Sequence, residues 1–190
     1  MKKTLFAIAA LLACTFSLSA QSSAEILSKI EKAQNGGKQI AASRFFELRS
    51  SADRTVQPVK LEGKLSYTPA DNLQMNYDNG ELFSIEGNKM TIQRDGTEQV
   101  FDTAKNLMMK GLSHALLYMF QGRLNNLATE QNADIAATKE GSEYVVTITA
   151  RKKAARGYSR TIIRYDARNC SLRNMQMDEF SGASTYYSFI

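Results

Sequence analysis

The chain has 190 residues, 43% of them hydrophobic and 23% charged, with a formal net charge of +5. That length supports one domain with a sizeable core, and so mild a charge does not point to nucleic acid. One His and two Cys in the whole chain leave little material for a metal cluster or a nucleophile-base pair.

The first twenty residues have the form of a secretory signal. Lys2 and Lys3 are followed by an apolar run from Leu5 to Phe16 and by the small-residue cleavage site Leu18-Ser19-Ala20. Spanning a bilayer takes roughly 20 apolar residues, so this run is too short for an anchor. We therefore expect residues 1–20 to be a signal peptide cleaved after Ala20, and residues 21–190 to be one soluble domain exported to the periplasm. Leu11-Leu12-Ala13-Cys14 also fits a lipobox, in which Cys14 would be acylated and become the mature N-terminus. Cleavage after Ala20 instead leaves Cys170 as the single thiol, with no partner for a disulfide. It also removes two of the 24 Lys+Arg against 19 Asp+Glu, leaving a net charge of +3.

Ser22 to Glu25 fits a capping box, and Ile26, Leu27, Ile30 and Ala33 form one helical stripe that ends at Asn35-Gly36-Gly37. From Gln39 the period becomes two. Ile40, Ala42, Phe46 and Leu48 are expected on one side of a strand, followed by Leu61, Leu65 and Tyr67 and, after Pro69, by Leu73, Met75 and Tyr77. Turns at Asn79-Gly80, Gly87-Asn88 and Asp95-Gly96 separate Phe83 with Ile85, Met90 with Ile92, and Val100 with Phe101. This is the pattern of an antiparallel meander. Helical spacing returns with Met108, Leu112, Ala115, Leu116, Met119 and Phe120, opposite Lys110, Ser113, His114 and Gln121, and Gly122 is the stop. A short connector then leads to strands around Tyr144–Ala150, Thr161–Tyr165, Met175–Met177 and Thr185–Phe189. The order predicts an α+β fold with one strongly curved antiparallel sheet and helices on its concave side.

No phosphate loop, zinc spacing or nucleophile elbow occurs, so no enzyme activity and no cofactor is expected. His114 is expected to face solvent. The interval Arg151 to Arg173 holds eight basic residues and one acid, Asp166. It reads either as a solvated hairpin face or as a surface for an anionic membrane or acidic partner. Seven methionines fall in the mature chain. They can fill gaps in an ordinary core or line a pliable apolar cavity.

Ala24 to Lys32, Ala42-Ser43-Arg44-Phe45, Gly63-Lys64-Leu65, Leu73-Gln74-Met75-Asn76-Tyr77 and Gly87-Asn88-Lys89-Met90 together resemble the periplasmic outer-membrane lipoprotein carriers, the LolA-like family. The likeness covers most of the mature chain, as a divergent member. Better-known members carry an Arg bonded to a helical lid where Gln74 stands here, and this chain has no Trp.

The resemblance implies an unclosed β-barrel covered by helices, whose apolar interior shelters lipoprotein acyl chains between the inner and outer membranes. Its implied partners are acylated lipoproteins, an inner-membrane lipoprotein-releasing transporter and an outer-membrane acceptor, with the carrier a monomer. The residues expected to line the cavity are Leu73, Met75, Tyr77, Met90, Ile92, Met108, Leu112, Leu116, Met119, Met175 and Met177. Two other readings stay open: a receptor of the same fold anchored through Cys14, and an exported sensor or protein-binding module in which the methionines are simply core.

Overall fold

A computed structural model describes residues 21–154 and 156–190, so the expected signal peptide and Cys14 lie outside the described residues. Helix α1 spans Ser23–Gln34 and is followed by six strands: β1 Ile40–Ser50, β2 Val59–Thr68, β3 Asn72–Tyr77, β4 Leu82–Glu86, β5 Lys89–Arg94 and β6 Thr97–Asp102. Helices α2 Leu107–Gln121 and α3 Leu124–Glu130 come next. Five more strands complete the chain: β7 Ala133–Glu140, β8 Glu143–Ala150, β9 Tyr158–Asp166, β10 Leu172–Glu179 and β11 Ser184–Phe189.

All eleven strands belong to one antiparallel sheet in the order β6-β5-β4-β3-β2-β1-β11-β10-β9-β8-β7. Its two outermost strands, β6 and β7, do not pair, so the barrel is unclosed and the helices cover the concave side. The fold is α+β, as the alternation of periods predicts.

Local chemistry sets the helix ends. Ser22 accepts from the Glu25 N–H at 3.3 Å, and the Glu25 carboxylate accepts from the Ser22 N–H at 2.8 Å, so the capping box is closed. Asn35, at φ 46°, ends α1 in the left-handed conformation. Asn106 caps α2, and Gly122, at φ 70°, terminates it. A Cβ on Gly122 would come within 3.0 Å of Gln34 and of the α1 backbone at Glu31, so the bare residue also lets the two helices touch.

The sequence pattern missed two elements, α3 and β7, reading them as a connector. In β7 the fully buried positions are Ala133 and Ala137, either side of the half-buried Ile135 on the same face, and the two small side chains give little hydrophobic alternation. Their size lets α1 lie close: the Ala137 N–H donates to Ser23 Oγ at 2.8 Å.

The register of β1 also differs from expectation. A bulge between Ile40 and Ser43 shifts the pairing with β2, and everything beyond it changes face. Phe45 and Glu47 are therefore buried at 1% exposure, whereas Phe46 and Leu48 lie on the outer face and are only partly covered. Phe45 packs edge-on against Tyr77 at 5.0 Å, across the position of Gly63. A side chain on Gly63 would meet the Phe45 ring at 2.7 Å and collide with the Asn76 carbonyl.

Glu47 is tolerated inside because it is fully partnered. It accepts from Arg49 Nε at 2.6 Å and from the Tyr77 hydroxyl at 2.5 Å, and Arg49 extends the network to Glu81 at 3.1 Å.

This register makes a prediction. Phe45→Ala should cost about 3–5 kcal/mol in urea unfolding and Phe46→Ala much less. The reverse ranking would show that the bulge is misplaced.

Candidate functional site

The expected cavity-lining residues divide into those the fold brings together and those it does not. Leu73, Met75 and Tyr77 on β3, Leu116 and Met119 on α2, and Met175 and Met177 on β10 join one buried cluster, with Leu112 packed against it half-buried. Met90 is fully buried outside that cluster, and Ile92 is partly covered. Met108 differs from expectation. It stands 53% exposed beside Leu107 at 83%, because the first turn of α2 carries both side chains into solvent, and the helix meets the core only from Leu112 onward.

In this structure the clustered residues pack against one another. The open space lies beside them, at the end of the sheet where α1 and α2 finish. A cleft of about 360 Å³ is walled there by Ile40, Leu65, Phe120, Leu172 and Phe189, with Lys38, Ser43, Asn169, Ser171 and Arg173 at its polar edge. Phe120 closes the inner side, stacked on Tyr67 at 5.3 Å and edge-on to Phe189 at 5.4 Å.

Bonds made by the last turn of α2 hold it at this end. A helix leaves its final carbonyls without intrahelical partners, and that of Met119 accepts from the Tyr165 hydroxyl at 2.6 Å. The Gln121 amide donates to the Ala70 carbonyl. On α1 the Gln34 amide donates to the Cys170 carbonyl at 2.5 Å. Burial raises the Tyr165 phenol well above its ordinary range, keeping it a donor at any physiological pH.

Charge at the cleft edge is set by Asp166, whose carboxylate takes both Arg168, at 3.1 Å, and Arg173, at 2.7 Å. Hydrogen bonds from the two guanidinium groups and from the Arg168 N–H hold its pKa well below the usual carboxylate range. Cys170 sits in the β9–β10 turn at φ 56° and is 1% exposed. Burial pushes its thiol up, against the pull of Lys29 and Lys38.

His114 stays partly exposed to solvent and also gains a partner. It lies 2.5 Å from Glu130, which also accepts from Tyr118 at 2.9 Å. The partner comes from α3, the element that sequence periodicity missed. Gln74 points outward and bonds Asn76 at 3.2 Å, on the face away from the helices, so no lid bond arises there. Among the described residues no group of three or more His, Cys, Asp or Glu is placed to hold a metal ion, and no helix is long and apolar enough to cross a membrane.

The fold and site define an unclosed, helix-covered sheet with an apolar cleft beside a tethered helix. No protein-family model matches the chain, and no curated protein matches it. Among solved structures, the chain is similar to a LolA superfamily protein from Nitrosomonas europaea, with 8% identity over 90% of this chain and 92% of that one, at a TM-score of 0.43. It is similar to the Mycobacterium tuberculosis lipoprotein LppX, with 12% identity over 89% and 95% of the two chains and a TM-score of 0.41. LprF from Mycobacterium bovis gives 12% identity over 88% and 91%, at 0.39. Identities this low assign no residue a role.

The Asp166 site predicts a pH dependence. Its carboxyl is depressed in the folded state and titrates near 3.9 when unfolded, so its stabilisation is fully present above about pH 4 and is lost as pH falls toward the folded value. Thermal melts of wild type and Asp166→Asn should differ at pH 7, and the gap should narrow progressively as pH falls below about 4. A constant difference would remove Asp166 as the source.

Proposed function

We propose that this chain is an exported periplasmic carrier that shelters lipoprotein acyl chains and takes them from the inner to the outer membrane. It would receive them from a lipoprotein-releasing transporter and yield them to an outer-membrane acceptor. In this reading residues 1–20 are the cleaved leader and residues 21–190 the working domain.

The observation that carries the proposal is the mounting of α2. The helix covers a methionine-rich concave surface, its polar bonds to the sheet are made by its last turn, its first turn is bare, and an apolar cleft opens beside the tether. An acyl chain gains roughly 0.8 kcal/mol for each CH₂ removed from water, enough over a full chain to replace the contacts that α2 makes with the sheet. Swinging α2 about its last turn would turn Leu73, Met75, Tyr77, Met175 and Met177 from core into cavity wall. Leu116 and Met119 would face them from the helix, with Leu112 nearer its start and Met90 and Ile92 farther out on the sheet. Met108 is outside this lining. Unbranched thioethers suit a surface that must pack against itself when empty and against lipid when filled.

A diacylated peptide should displace a fluorescent fatty acid from the purified protein, and the same peptide without acyl chains should not. Binding of neither lipid would end the carrier reading. Tyr165→Phe removes the donor to Met119 and should lower stability by about 1–3 kcal/mol while speeding probe exchange. Unchanged exchange would place the moving part elsewhere.

A further inference from the structure

The two ends of the sheet carry different chemistry. Opposite the cleft, the strand order sets three hairpin loops side by side: residues 51–58 between β1 and β2, 180–183 between β10 and β11, and 151–157 between β8 and β9. They form one surface, since the Phe180 N–H donates to the Gly157 carbonyl at 3.1 Å and Gly182 lies against Ala52.

The 151–157 loop holds Arg151, Lys152, Lys153 and Arg156 and no acid. Arg151 is committed to Asp134 at 2.7 Å. Lys152, Lys153 and Arg156 are exposed and have no ion-pair partner among the described residues. Two acids stand nearby, Asp53, which accepts from the Thr55 N–H at 2.9 Å, and Glu179, which accepts from the Ser181 hydroxyl at 2.8 Å; these neutral donors leave both charges in place, so Lys152, Lys153, Arg156 and Arg54 outnumber them two to one. Beside this charge, Arg54 is exposed, and Val56 and Val59 each stand 52% exposed.

We propose that this surface docks the protein on an anionic lipid bilayer. Lys152, Lys153, Arg156 and Arg54 would meet the head-group phosphates, and the two valines would reach the boundary beneath them. An acidic protein would satisfy the charge, but exposed valines flanking a basic loop match a layer that is anionic outside and apolar just below. A basic side chain near such a surface strengthens binding by about fivefold. Strand β9 joins the two ends with nine residues, at about 3.3 Å each, so the docked protein would hold its cleft about 30 Å from the lipid.

The test needs no cargo, so its outcome is separable from that of acyl binding. The protein should sediment with phosphatidylglycerol vesicles, less with phosphatidylcholine, and less as salt rises. Lys152→Glu with Lys153→Glu and Arg156→Glu should weaken binding by about a hundredfold or more. In a Cys170→Ser background, an environment-sensitive dye on Ala154→Cys should respond to the anionic vesicles, and one on Asn169→Cys, at the cleft end, should not. Equal binding to both vesicles, an unaffected triple variant, a response confined to position 169, or capture by polyglutamate but not by lipid would each overturn the proposal.

Discussion

The fold depends on the pairing of β1 with β11. Six residue pairs, from Phe45 opposite Phe189 to Ser50 opposite Ser184, join a six-strand meander to a five-strand one. Every other ladder in the sheet links strands that are consecutive in sequence. This one alone spans nearly the whole domain, and without it there would be two small sheets, each with an exposed apolar face. Closing so long a loop costs chain entropy before any contact repays it. The flanking pairings of Glu47 with Leu61 and of Glu47 with Tyr187 place the buried acid at this junction.

The same central strand carries the buried Glu47 network, and this explains where sequence reading succeeded and failed. Capping residues, stop glycines and turn dipeptides act locally, so both long helices and ten of the eleven strands could be read from neighbours in sequence. The bulge in β1 could not. Phe46 and Leu48 are more apolar than Glu47, and only Arg49, Tyr77 and Glu81, brought in by folding, make the acid acceptable inside. β7 and α3 were hidden for a related reason: alanines in β7 are buried because α1 lies over them, and alternation of large side chains never develops.

At the candidate site the legible part was the apolar stripe. Methionines and leucines at periods of two and 3.6 pointed to the surfaces that meet beneath α2, and seven of the eleven positions join the central cluster with an eighth packed against it. The cleft was invisible, because Lys38 at its edge and Phe120, Leu172 and Phe189 in its wall are scattered over about 150 residues and share no common pattern. The tether was equally hidden, since a tyrosine on an inward strand position reads as core until its hydroxyl is seen to reach a helix carbonyl.

The open seam between β6 and β7 has a mechanical meaning. In a closed barrel the strand number and shear fix the circumference, so the enclosed volume cannot change without breaking ladder bonds. Here ten ladders bind eleven strands and no eleventh closes the ring. An unclosed sheet carries no such constraint, so its curl is not fixed by the ladders themselves. On the proposed carrier reading capacity would be a continuous variable, set by how far α1, docked along β7, stands from the free rim of β6, and occupants of different girth would cost bending rather than rupture.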